Sequence, residues 1–333
     1  MDVFKKLMST LSVSGREHAL TVVIEEMLKD HVDSITRDNM GNLIAFKKGT
    51  APNAKKLMLA GHMDEIGFIV THIQDNGYIR INSIGGISYV AAAYGTVVFE
   101  NGTKGVIVPE AGVGANDYNQ SKFVIDIGAK DKKTAMTKVN FADTCAMVPH
   151  VERLMGGVYC GRPFDDKLGC AIMIRAALEA KECANDTYFV FTVQEEVGCR
   201  GSKTSSYAIM PDYAIAYDVT GTGDAQGSKP MEVKLGNGAA IKIKDSSVIC
   251  DIDFVRAVEK IAKENKIPYQ LEILEGGGTD TSSMQMTGCG AKATAISVPT
   301  RYIHSINETI NKKDYDACVD LTVEILKTDL NNI

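Results

Sequence analysis

The feature that most constrains this chain is a pair of glutamates, Glu195 and Glu196, directly behind the apolar run Tyr188-Phe189-Val190-Phe191-Thr192-Val193. Aromatic and β-branched residues without polar alternation read as a strand buried on both faces, the habit of a parallel sheet covered by helices. Carboxylates just past such a strand sit at the rim where open α/β sheets bind ligands. Two adjacent anions there repel each other and lose hydration, so the arrangement needs positive charge, which a metal ion supplies most economically.

The other candidate strand ends carry matching chemistry. His62 and Asp64 follow Leu57 to Gly61, Asp218 closes Tyr213 to Tyr217, and His304 lies shortly past Lys292 to Val298. Asp165 and Asp166 open the helix that begins the second half. If the strands are parallel, all of these fall at one end of the sheet. Imidazole nitrogen with carboxylate oxygen and no thiolate is the donor set of a catalytic zinc, cobalt or manganese site. The donors exceed the needs of one zinc ion and suit two divalent ions roughly 3.5–4 Å apart that share a carboxylate. Two dications are about neutralised by three carboxylate ligands and a hydroxide, which leaves one glutamate free as a base.

With 333 residues, the chain has room for more than one domain. Ser14-Gly15-Arg16-Glu17 reads as a capping box ahead of a helix over 18–31, and short strands are expected at 34–37 and 43–47. From 67 to 159 the texture changes to short strands, frequent glycines and turns such as Asp75-Asn76-Gly77, without helical period. That is the pattern of a small β-barrel or sandwich inserted into an α/β domain. Alternation then resumes, with helices expected over 168–181, 202–209, 252–266 and 312–330 and strands over 188–193, 213–219, 269–274 and 292–298. The expected division is 1–66 with 160–333 as one domain and 67–159 as the insert.

Composition removes other classes. A net charge of −6 with dispersed lysines argues against nucleic-acid binding. There is neither a signal peptide nor an apolar run that could span a membrane. The eight cysteines form no C-x-x-C pair, so reduced thiols in a cytoplasmic protein are expected. His18, His31, His72 and His150 stand outside any strand-end pattern and read as structural or surface residues. Gly276-Gly277-Gly278-Thr279-Asp280 lacks the lysine and spacing of a phosphate loop and reads as a turn lining the substrate pocket, with Thr279 and Asp280 beside the substrate. Lys292, Arg200 and Arg301 suit either an acidic substrate side chain or ordinary surface pairing.

Six segments together carry a family resemblance: Gly61-His62-Met63-Asp64-Glu65-Ile66-Gly67, Phe164-Asp165-Asp166-Lys167-Leu168-Gly169, Gln194-Glu195-Glu196-Val197-Gly198, Tyr217-Asp218-Val219, Gly277-Gly278-Thr279-Asp280 and Tyr302-Ile303-His304-Ser305. In this order they resemble the tetrahedral, glutamyl and deblocking aminopeptidases, a family with members labelled cellulase M. The resemblance implies a phosphorylase/hydrolase-like three-layer α/β/α catalytic domain with an inserted β-barrel that mediates dimerisation, often within a hollow tetrahedral dodecamer. It implies two divalent metal ions per subunit, zinc or cobalt, and peptide substrates trimmed from the N-terminus. By the same resemblance His62, Asp165 and Asp218 hold one ion, and Asp165 as bridge, Glu196 and His304 hold the other. Asp64 orients His62, and Glu195 is the general base.

Two rival readings are weaker. A cellulase-like glycoside hydrolase would need two catalytic carboxyls flanking the scissile bond at about 5 Å or more, which neighbours at one strand end cannot do. A non-catalytic, metal-stabilised assembly protein would be expected to use closed, cysteine-rich sites.

Overall fold

The computed structural model describes residues 2–332. Helices α1 (Asp2–Met8) and α2 (His18–Leu28) precede strands β1 (Ser34–Arg37), β2 (Leu43–Lys47) and β3 (Lys56–His62). Six short strands follow: β4 (Gly67–Ile73), β5 (Ile79–Ile84), β6 (Thr96–Phe99), β7 (Lys104–Pro109), β8 (Phe123–Asp126) and β9 (Thr144–Met147), with single-turn helices α3 (Tyr89–Ala92) and α4 (Lys132–Ala135) among them. The chain continues through β10 (His150–Arg153), β11 (Val158–Arg162), α5 (Lys167–Glu179), β12 (Asp186–Thr192), α6 (Arg200–Ile209), β13 (Tyr213–Thr220) and β14 (Ala239–Lys244). It closes with α7 (Ile252–Glu264), β15 (Tyr269–Ile273), α8 (Thr281–Gln285), β16 (Lys292–Arg301), β17 (Glu308–Asn311) and α9 (Lys312–Lys327).

Strands β12, β3, β13 and β16 lie side by side and parallel in the middle of a large mixed sheet. Antiparallel β2 and β1 extend one flank; β17, β11 and β10 extend the other, and β14 with β15 branches from β16. The two faces of the parallel strands differ in side-chain size. Leu57, Leu59, Phe189, Phe191, Ile215 and Tyr217 face α5 and α9, whereas Ala60, Ala214, Ala216, Ala293 and Ala295 face α6 and α8. Alternation along each strand sends every second residue to the opposite layer, and the result is helix, sheet and helix in three layers. Strands β4 to β9 close into a separate six-stranded antiparallel barrel around Phe68, Ile81, Val97, Phe99, Ile107, Phe123 and Ile125. Among the described residues no helix is long and apolar enough to cross a membrane.

The expected capping box does not form. Glu17 itself is the N-cap of α2 and makes no side-chain cap bond; its Oε1 accepts the N–H groups of Gly15 at 2.8 Å and Gln194 at 3.1 Å. Ser14 donates its hydroxyl to Asp64 Oδ2 at 2.6 Å. A buried carboxylate outcompetes a helix-end amide for that donor, because a bond to a charged acceptor is the stronger one.

Candidate active site

Parallel pairing brings His62, the Glu195-Glu196 turn, Asp218 and the His304 loop to one rim. Asp218 is not a strand terminator: β13 runs on to Thr220, and Asp218 projects from within it. Asp165 enters from the turn ahead of α5, where the Asp165–Asp166 peptide is cis.

Asp165 lies between the two imidazoles. Its Oδ1 is 3.0 Å from His62 Nε2 and its Oδ2 is 3.3 Å from His304 Nε2. His304 Nε2 is also 3.3 Å from Glu196 Oε2, and His62 Nε2 is 3.9 Å from both Asp218 Oδ1 and Glu195 Oε2. Two sets of donor atoms, each within 4.8 Å of one another, therefore share Asp165: His62 with Asp165 and Asp218, and Asp165 with Glu196 and His304. Glu196 Oε1 is buried without a hydrogen-bond partner. Each set offers one imidazole nitrogen and two carboxylates, a composition that suits a divalent cation with open positions. Asp166 is the neighbour turned away: its Oδ1 caps α5 through Gly169 N–H at 2.8 Å, and its Oδ2 accepts His62 N–H at 3.2 Å.

Asp64 is fully buried and serves four partners. Its carbonyl oxygen lies 3.0 Å from His62 Nδ1, with the carboxylate 3.5 Å away. The carboxylate itself accepts Glu195 N–H at 3.0 Å and Glu196 N–H at 3.2 Å, beside the Ser14 hydroxyl. One residue thus fixes the His62 ring and the backbone that presents both glutamates. Asn42 braces the same turn from the far side: its Oδ1 accepts Val193 N–H at 3.0 Å, and its Nδ2 donates to Gly201 O at 2.9 Å. Between these anchors Gln194 and Cys199 hold positive φ angles of 56° and 50°, and across the rim His304 holds 61°. Such left-handed backbone in residues with side chains costs about 1 kcal/mol or more and persists where the surroundings enforce it.

Glu308, which no pattern in the sequence singled out, joins the two halves of the second cluster. Its Oε2 accepts Phe164 N–H at 2.6 Å and Asp165 N–H at 3.2 Å, while its Oε1 accepts His304 N–H at 3.2 Å. The turn leaving β5 covers the same cluster closely. A Cβ on Gly86 would sit 3.2 Å from His304 Nδ1, and one on Gly85, where φ is +79°, would sit 2.6 Å from Ile66 Cγ2. Only glycine permits that approach.

Burial works against charge on both imidazoles, yet the carboxylates of Asp165 and Glu196 hold His304 at about 11, and Asp165 and Asp64 raise His62 well above its ordinary range. Burial raises Asp218, and it raises Glu195 to about 8, helped by Asp280 and Glu196 and opposed by His62. Asp165 is the exception: burial opposes its charge, but the flanking imidazoles hold it far below the usual carboxylate range. The surrounding carboxylates thus draw both imidazoles toward their charged form in the metal-free chain.

Asp280 lies beside Glu195, and its Oδ2 accepts the Thr192 hydroxyl at 2.6 Å. Thr279 is buried and bonds Thr281 within its own turn at 2.9 Å. The undecided cations have ordinary partners: Arg301 pairs with Asp224 at 2.7 Å, Arg200 donates to Gln194, and Lys292 lies over the Tyr213 ring. All eight cysteines are free thiols.

The profile of the M42 glutamyl aminopeptidases matches residues 41–321. The chain belongs to this family. A provisionally named aminopeptidase of Acetivibrio thermocellus is 45% identical over 98% of both chains. The solved TET1 peptidase of Pyrococcus horikoshii, described as assembling into a tetrahedron or a large octahedral shell, is 33% identical over 98% of each chain with a TM-score of 0.85. A Thermotoga maritima protein named an endoglucanase is 30% identical over 97% of this chain and 96% of its own, with a TM-score of 0.83. The M42 chain is thus an aminopeptidase with the fold of the TET enzymes.

Proposed function

We propose that this M42 aminopeptidase removes N-terminal residues from peptides at two divalent cations. His62, Asp165 and Asp218 would hold one, and Asp165, Glu196 and His304 the other. The observation that carries this is the division of Asp165, one oxygen toward each imidazole, with an orphaned buried oxygen on Glu196 beside it. Zinc or cobalt suits the donors, and when bound the ions supply electrophilic polarisation of the scissile carbonyl and an activated water.

The chain's own residues do the rest. Glu195 belongs to neither ligand set, and its Oε2 lies 3.9 Å from His62 Nε2. Burial raises its proton affinity in the metal-free chain, and as a carboxylate outside both ligand sets it is free to take a proton and return it to the leaving amine. Asp64 positions the Glu195 backbone and the His62 ring through the bonds described above, and Thr279 with Asp280 is assigned to the substrate side of Glu195. Glu195→Gln should retain both metal ions and lose peptide turnover by at least about 100-fold. Metal content by mass spectrometry and release of an aminoacyl anilide test this together; unchanged turnover would refute the role.

Residues 67–159 are assigned as the inserted segment for self-association, its barrel closing at Met147 and its last strand, β10, joining the large sheet, with residues 1–66 and 160–333 as the catalytic domain. Phe141, Tyr94, Val90 and Met136 are exposed apolar side chains in that segment, and desolvating them favours pairing of copies. A tetrahedral dodecamer is the assembly proposed, in keeping with the TET1 relative. Free thiols throughout agree with a cytoplasmic setting. Light scattering gives the oligomeric mass, and a stable monomer would refute the assembly.

A further inference from the structure

Cys199 begins α6 beside the proposed base, and its thiol donates to Glu195 Oε1 at 3.1 Å. Asp280 lies close by and is only 3% exposed. Thr192 occupies its Oδ2, whereas Oδ1 has no hydrogen-bond partner. One donor atom each from Glu195, Cys199 and Asp280 lie within 4.8 Å of one another, and none of the three belongs to the ligand sets proposed above. A buried carboxylate oxygen without a donor is costly, and a cation is the partner that would satisfy it.

This group differs chemically from the other two. It contains no imidazole and adds sulfur to two carboxylates, a softer donor set that favours Zn2+ or Cd2+ over Mn2+ or Mg2+. Glu195 and Cys199 are each partly exposed and Gly198 between them is exposed, so the group can be reached from solvent.

We propose that Glu195, Cys199 and Asp280 form a third cation site, selective for soft divalent metal, whose occupation silences the enzyme by engaging the carboxylate of the base. Binding exchanges the Cys199 S–H proton, released to water, for a metal–sulfur bond. Zinc would then activate stripped enzyme at low concentration and inhibit it at higher concentration, and manganese would show little of the second effect. The silencing rests on Glu195 as base; the binding does not.

The test is a Cd2+ titration of the full-length protein, wild type, Cys199→Ser, Asp280→Asn and Cys289→Ser, reading the ultraviolet absorption of the cadmium–thiolate bond. Cys289 is the exposed thiol and serves as control. Wild type and Cys289→Ser should gain this absorption, Cys199→Ser should lose it, and Asp280→Asn should need more cadmium to develop it. In parallel, the zinc concentration that halves the anilide rate, each variant normalised to its own maximum, should rise at least about tenfold in Cys199→Ser. Equal absorption in wild type and Cys199→Ser, or superimposable zinc inhibition curves, would overturn the proposal. A wild type that binds cadmium through Cys199 yet cleaves no anilide would instead count against the peptidase mechanism alone.

Discussion

Glu308→Gln tests the claim that backbone placement, and not only ligand identity, creates the second cation site. Glu308 is 2% exposed and accepts three N–H groups, two through Oε2 and one through Oε1. A glutamine keeps the shape but turns one terminal atom into a donor. The orientation that costs least keeps the Phe164 and Asp165 amides and leaves the His304 N–H facing an NH2 group. Losing one bond to a charged acceptor, with its donor left unpaired, costs about 2 kcal/mol of stability. The cost falls on the loop that carries His304, so affinity of the Asp165, Glu196 and His304 set should drop about 10- to 100-fold, as for other residues that orient metal ligands. The set of His62, Asp165 and Asp218 retains its bond pattern, so its affinity should stay close to wild type. Competition with a chromophoric chelator resolves the two steps: the variant should weaken one and leave the other in place. Two steps superimposable on wild type would show that Glu308 does no positioning.

Other outcomes follow from the same contacts. Burial disfavours charge on His62 and His304, but the carboxylates beside them prevail, so both stay protonated at neutral pH in stripped protein. Their contribution to stability is complete below the ordinary histidine value and is lost only as pH rises through the folded value, about 11 for His304. Cations must displace these protons, so metal addition should acidify a weakly buffered solution and apparent affinity should climb between about pH 6 and about 9; flat affinity over that range would contradict the assignment. Asn42→Ala removes the bonds to Val193 and Gly201 that brace the glutamate turn. Urea melting should show a loss of about 2–4 kcal/mol and anilide assays a lower kcat; stability within about 0.5 kcal/mol of wild type would refute the brace.

The side chains that could meet an ion were legible in the chain because a parallel sheet delivers every strand end to one rim, and His62, Glu195, Asp218 and His304 each stand near such an end. The barrel was legible from its turns. What holds those groups in place was not. Glu308 and Asn42 act by receiving or donating hydrogen bonds to main-chain atoms distant in sequence, an interaction that leaves no periodic trace. Ser14 and Glu17 matched a local capping pattern and were claimed by partners 50 and 177 positions away. Strand β14 begins beyond a long connection and carries Lys242, whose buried pairing with Glu272 on β15 could not be inferred before the two strands were side by side.

The small side chains of β13 and β16 act as spacers of fixed thickness beneath α8, and Asp280, which opens this helix, places its carboxylate beside the candidate base. A bulkier substituent at Ala214 or Ala216 would lift the helix like a shim under a hinge and tilt the carboxylate without touching the reaction chamber. Variation that slows this enzyme should therefore arise deep in the dry interlayer as readily as around the mouth of the pocket.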